Sequence, residues 1–238
     1  MNHKQKKGKG MTLEQNIREL RKIYGLSQEQ VADAMDINRS TLVAVEKGDR
    51  DLNSEELGKL ADYLGIDITE LVAQEVPDYE KYEQMILEVV DEYVKQTEGK
   101  SLPKTFLAKL LYLTDFSWFY DELKPMSGMK YRKIEYGPVP DQFFRVYEEM
   151  AEAGKLSIEE SSKGAYWTTL TRAGQANRRS KLTAEERQRI GEVVKKWKNS
   201  NTREIVAFTH SQLPYQGSRL EQFIPYELIT QEEPEHVY

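Results

Sequence analysis

Few residues in this chain are equipped for covalent or acid–base chemistry. Its 238 residues include no cysteine, which excludes thiolate nucleophiles, thiolate zinc sites and disulfides and suits a reducing cytoplasm. The histidines are His3, His210 and His236. Two of them lie in terminal segments, so a histidine-rich metal site is not available. His210 sits in THSQ after a helical stretch, whereas a nucleophile elbow needs a strand before its turn. Asp115 lies within FLAKLLYLTDFSWFY (106–120), on an aromatic face. There a carboxylate hydrogen-bonded to its surroundings is a plainer reading than a catalytic acid. No glycine-rich phosphate loop or paired-carboxylate metal pattern occurs. These residues point away from an enzyme: no catalytic residues, no metal and no cofactor are expected.

Recognition is the chemistry left, and it depends on how charge is distributed. The formal net charge is −6. Residues 1–10 carry four lysines, residues 11–74 carry seven Lys/Arg against thirteen Asp/Glu, and the remainder carries 23 bases and 27 acids. An acidic first domain repels phosphate as a whole, so contact with nucleic acid has to rest on a local patch such as Arg39, Lys47 and Arg50. MNHKQKKGKG has lysines with no apolar run after them; it reads as a basic disordered arm and not as a signal peptide. No segment approaches the roughly 18 apolar residues needed to span a bilayer.

The elements that must position such a patch are short helices. Leu13, Ile17 and Leu20 recur at helical spacing after Thr12, a candidate cap, and Gly25 ends the run. Ser27 opens a second helix with Val31, Ala32 and Met35 inward, Asn38 a third (RSTLVAVEKG), and Asn53 or Ser54 a fourth with Leu57, Leu60, Ala61 and Leu64 on one face. Asp67 opens a short fifth, ITELVA. Composition then changes. Only Tyr24 and Tyr63 are aromatic before residue 75, against 22 Phe, Trp and Tyr after it, and VAQEVPDYEK reads as a linker around 75–78.

The second part is mixed. A helix over 79–97 is followed by the aromatic helix 103–121, apolar nearly all round and therefore expected at a domain centre. MKYRKIEY (129–136) reads as a strand that GPVP breaks. Asp141 is expected to cap a helix to about Ala153. KLSIEE and AYWTTLT form a hairpin around SSKG, and helices near 171–180, 184–198 and 202–212 follow. The fold class expected is mainly α: a five-helix domain, then a mostly helical α+β domain with a small sheet.

LSQEQVADAMDINRSTLVAVEKG resembles the helix-turn-helix of the Xre/phage-repressor family over residues 12–74. The resemblance implies that helix 38–46 enters a DNA major groove. By position, Arg39, Ser40 and Ala44 would face bases with Val43 beside them, while Gln28, Asn38, Lys47 and Arg50 would hold phosphates. Such domains bind as symmetric dimers, which implies a homodimer on a palindromic operator.

KLLYLTDFSWFY, MKYRKIEYGPVPDQF and FTHSQLPY together resemble the Panacea domain, also called SocA-like, over about 79–230, with 231–238 left as a tail. Tyr215 stands where tryptophan is more usual. This resemblance implies a cytoplasmic antitoxin that neutralises a partner toxin by direct binding, with the first domain repressing the shared operon. Two alternatives stay open: a transcriptional regulator whose second domain binds another protein or effector, and an adaptor that delivers a toxin to a protease. Exposed aromatic and arginine residues are the usual interface anchors. The candidates around the YGPVP turn are Tyr131, Arg132, Tyr136, Phe143 and Arg145.

Overall fold

A computed structural model describes residues 13–65, 71, 77–162, 164–178 and 181–238. The chain divides into two compact units between Val76 and Pro77. The basic arm at 1–10, the Thr12 cap and the fifth helix (Leu71 aside, which is buried) lie outside the described residues.

In the first unit, α1 (Leu13–Ile23), α2 (Gln28–Ala34), α3 (Arg39–Lys47) and α4 (Ser54–Leu64) follow one another. Their starts are set chemically. Ser27 and Asn53 each accept the N3 amide, and the Gln30 and Glu56 side chains accept the cap amides in return, so two orphan donors are satisfied at each start. Ile17, Val31, Ala32, Met35, Leu42, Val45 and Leu60 make the core. Ala32 is buried where α2 and α3 pack together, a place with little room for a longer side chain.

The second unit is built around two long helices, α5 (Tyr79–Gln96) and α6 (Lys104–Glu122). The Asp78 side chain caps α5 by accepting the Lys81 amide at 2.9 Å. Every residue of α6 from Phe106 to Ser117 is buried, as expected of a helix with no polar face. Between them lies β1 (Leu102–Pro103), too short to leave a sequence pattern. β2 (Tyr131–Ile134) and β3 (Gly137–Pro140) form one antiparallel pair. After α7 (Phe143–Glu152), β4 (Leu156–Glu160) and β5 (Tyr166–Leu170) pair antiparallel and join β1 in the order β1-β5-β4. The remainder is helical: α8 (Arg172–Asn177), α9 (Ala184–Trp197), α10 (Thr202–Ser211), α11 (Leu213–Gln216) and 3-10 turns at Tyr226–Gln231 and Pro234–His236. α6 packs against α5, α9, α10, β3 and the first 3-10 turn, which makes it the hub of the unit.

Three expectations are corrected. GPVP does not break the strand; it is the return strand β3, paired residue for residue with 131–134. Only one side of β3 is paired, so the missing amides of Pro138 and Pro140 are tolerated at the edge. Asp141 does not cap α7: its Oδ1 accepts Arg132 Nε at 2.9 Å, and Gln142 stands at the N-cap without a side-chain bond. Residues 231–238 are not a loose tail. Val237 is buried, and Gln212 Nε2 donates to the carbonyls of His236 and Val237 at 2.8 and 2.9 Å.

Candidate functional site

In the first unit, α3 buries Leu42 and Val45, which turns its N-terminal end outward. Asn38, Arg39, Ser40 and Lys47 are exposed, with Val43 and Ala44 half-buried beside them. Asn38 has cap-like backbone angles, but its side chain makes no capping bond and is left for other acceptors or donors. Arg39 is pre-set from behind. Its Nη2 donates to Gln28 Oε1 at 3.1 Å, Gln28 Nε2 donates to Glu46 Oε2 at 2.9 Å, and Glu46 accepts Arg21 Nε at 2.5 Å. Burial pushes the Glu46 carboxyl up, but the bonds and charge of Arg21 and the Gln28 amide outweigh it and hold the group below its ordinary value. Arg50 is placed differently: its Nη2 donates to Glu56 Oε1 at 2.7 Å, so it reaches a phosphate only by leaving a carboxylate that also serves the α4 cap.

In the second unit, three separated pieces of sequence meet at one end of the β2–β3 hairpin. Lys109, from the middle of α6, is 2% exposed and donates Nζ to the Pro138 carbonyl at 2.7 Å. Burial lowers its pKa to about 7. A Cβ at Gly137 would lie 3.0 Å from Lys109 Nζ and 3.1 Å from His210 Nε2, so the two basic groups approach within about 6 Å across the Gly137 backbone. The His210 ring stacks on Tyr215 at 4.3 Å, and its buried Nε2 has no hydrogen-bond partner. Its pKa is lowered by burial and by the Lys109 and Lys133 charges. Lys133 crosses the Tyr215 ring at 4.3 Å and donates to the carbonyls of Tyr215 and Ser218 at 2.8 and 3.0 Å. The Tyr215 hydroxyl in turn donates to the Ile134 carbonyl at 2.9 Å.

The other end of the hairpin is fixed by Asp115. Oδ1 accepts the amides of Met126 and Ser127 at 2.7 and 3.1 Å, and Oδ2 accepts the hydroxyls of Ser127 and Tyr131, the latter at 3.1 Å. Burial leaves the carboxyl above its ordinary range although these donors pull it down. Its role is to hold the segment that enters β2.

The five surface candidates part company here. Tyr131 and Phe143 are buried, Tyr131 bonded to Asp115 and the Phe143 ring tilted against Tyr147 at 5.5 Å; as packed, neither reaches a partner. Arg132 is tied to Asp141 and to the Glu221 carbonyl and lies 4.4 Å from the Phe223 ring. Arg145 is engaged by Gln142 and Glu149 and lies over Tyr79. Tyr136 alone among them stands clear, 70% exposed at the hairpin tip. Lys109, Gly137, Lys133 and His210 carried no assignment from sequence. The signal that marks Lys109 is a lone base inside an otherwise apolar helical run.

Among the described residues, no group of three or more His, Cys, Asp or Glu is placed to hold a metal ion, and no helix is long and apolar enough to cross a membrane. The architecture is thus that of a helix-turn-helix unit joined to a helical unit with two small sheets. The helix-turn-helix family model matches residues 17–71, and that of the antitoxin SocA-like Panacea domain matches residues 107–214. The cryptic phage CTXphi transcriptional repressor RstR of Vibrio cholerae is 33% identical over 84 residues, which is 34% of this chain and 76% of the repressor. No solved structure matches the chain. The chain belongs to the Xre-type helix-turn-helix family and carries a SocA-like Panacea domain after it.

Proposed function

We propose that this protein is the antitoxin of a type II toxin–antitoxin pair. It neutralises a partner toxin by direct protein binding and represses its own operon by binding a palindromic operator as a homodimer in the cytoplasm. The observation that carries this reading is the union, in one chain, of a helix whose N-terminal end presents Asn38, Arg39 and Ser40 outward with a SocA-like antitoxin domain. The repressor named among its relatives supports the DNA-binding half. Arg39 and Ser40 read bases there, Val43 and Ala44 offer methyl contacts, and Gln28, Asn38 and Lys47 set register on phosphates, with Arg50 joining once it is released from Glu56.

The test is expression of the adjacent reading frame alone and together with the full chain. Arrested growth alone, relieved by co-expression with toxin levels unchanged, is the expected result. A harmless neighbour or failed rescue overturns the antitoxin reading and leaves a DNA-binding regulator. A shortened toxin half-life identifies a protease adaptor instead.

A further inference from the structure

One strand edge in the second unit keeps all of its outward backbone groups free. Beside the β4–β5 ladder the Thr171 amide donates to the Lys155 carbonyl, and the Ser161 amide to the Ala165 carbonyl. The register from Leu156↔Leu170 to Glu160↔Tyr166 runs between these two bonds. Hydrogen-bonded and non-bonded pairs alternate in an antiparallel ladder, so Ser157 and Glu159 turn their amides and carbonyls to β5. Leu156, Ile158 and Glu160 turn theirs away. No backbone hydrogen bond among the described residues uses those outward groups, and β4 is the last strand of its sheet.

The other strand edges are closed. β3 carries Pro138 and Pro140, which have no amide to offer. The far side of β2 is taken by the segment 221–224: the Lys133 amide donates to Gln222, the Glu221 amide to Lys133 and the Ile224 amide to Tyr131. β1 is two residues long and ends in Pro103.

The sequence of β4, LSIEE, is complementary to itself. Antiparallel pairing about a two-fold axis at Ile158 sets Ile158 against Ile158, Leu156 against the second copy's Glu160, and Ser157 against its Glu159. All five residues are then paired, and no two carboxylates face each other. An axis at Glu159 or Glu160 sets glutamate directly against glutamate, which is destabilising. An axis at Ser157 or Leu156 carries Glu159 and Glu160 past the end of the opposing strand. The Ile158 axis also brings the outward residues of both copies into hydrogen-bonded pairs, each exchanging two bonds.

We infer that β4 is an isologous interface between two copies of this chain, joined in one continuous sheet of order β1-β5-β4-β4-β5-β1. That the occupant is a second copy rests on the homodimer of the proposed function; the edge and its register rest on this geometry.

The chain has no cysteine, so full-length single-cysteine variants can read the register. Ser157 and the second copy's Glu159 form a non-hydrogen-bonded pair with Cα atoms about 4.5 Å apart, within reach of a disulfide. Under mild oxidation a mixture of Ser157→Cys and Glu159→Cys chains should give at least about tenfold more cross-linked dimer than either variant alone, because like positions lie about 7–8 Å apart on the diagonal. Adding Glu160→Pro to both should remove that excess with an unchanged urea midpoint, since the Glu160 amide has no backbone acceptor within the chain. Ser157→Lys, set against Glu159, should tighten the dimer about threefold or more in sedimentation. If the wild-type chain stays monomeric, the homodimer reading and this interface fail together. If it dimerises but the mixture gives no excess, or Ser157→Lys weakens the dimer, the homodimer stands and β4 is overturned as its interface. The interface is also overturned if Glu160→Pro leaves the dimer intact but abolishes binding of the purified product of the adjacent reading frame, which assigns the edge to that protein.

Discussion

A methyl group added at Gly137 tests the hairpin latch against a matched control. Gly137 has φ +93°, and the new Cβ would sit 2.9 Å from Lys109 Cε, 3.0 Å from its Nζ and 3.1 Å from His210 Nε2. Gly99 has nearly the same φ, +95°, with nothing within 4 Å of its Cβ position. Gly99→Ala therefore carries only the cost of a positive φ, about 1–2 kcal/mol. Gly137→Ala carries that cost and also drives Lys109 off the Pro138 carbonyl. Lysine is flexible, but at 2% exposure it has no solvent to retreat to, and a lost bond to a buried charged group costs about 1.5–3 kcal/mol. The totals are about 2.5–5 against about 1–2 kcal/mol. The assay is direct, because Trp118, Trp167 and Trp197 all lie in the second unit and their fluorescence follows its unfolding alone. With a urea dependence of about 2 kcal/mol per molar, Gly137→Ala should lower the midpoint by about 1.2–2.5 M and Gly99→Ala by about 0.5–1 M. Equal shifts would show that Lys109 and His210 do not press on Gly137, and the latch would be wrong.

Asp115→Ala leaves the buried amides of Met126 and Ser127 without an acceptor and should cost about 2–5 kcal/mol by the same fluorescence titration; Asp115→Asn keeps Oδ1 and should cost less than half as much. Lys109 has a folded pKa of about 7, below its unfolded value. Its charged form is therefore disfavoured on folding, and its contribution to stability grows as pH rises from about 7 towards 10 and is lost as pH falls to 7. The wild-type midpoint should rise between pH 7 and 9 relative to Lys109→Met by about 1 kcal/mol per pH unit; the comparison cancels Lys104 and Lys196, whose values burial also lowers. In the first unit, Arg39→Ala should weaken binding to DNA from the upstream region of this gene by about 1–3 kcal/mol, and an unchanged footprint would remove α3 as the reading helix. Glu46 is held below its ordinary value, so its stabilisation is present above pH 4.5 and is lost on acidification below it; amide signals of α1 to α3 should lose dispersion there before those of Glu46→Gln do.

Helices were the legible part of this fold, because caps and apolar spacing are local. Ser27 and Asn53 announce their helices within four residues, and the apolar girth of 106–120 places α6 at the centre. What stayed hidden depends on partners distant in sequence. Pro138 and Pro140 look like strand breakers until β2 supplies one paired side. Asp141 looks like a cap until Arg132, which comes earlier in the chain, takes it. Residues 231–238 look like a tail because the side chains that anchor them, Gln212 and Lys196 among them, come 24 to 42 residues before. Tyr131 and Phe143 were plausible anchors by residue type alone, and only burial distinguishes them from Tyr136.

The residues that carry the Panacea resemblance are mostly the ones that hold the hairpin. Asp115 fixes the segment entering β2, Lys109 and His210 close on Gly137 at its return, and Tyr215 ties off Ile134. Each spends its polar atoms or its ring on the framework. A loop braced at both ends loses little further freedom when it is bound, so binding energy at its tip is not consumed in ordering it. The framework therefore fixes the hairpin and leaves Tyr136 exposed at its tip. That division explains why the motif identifies the domain while leaving its partner unnamed.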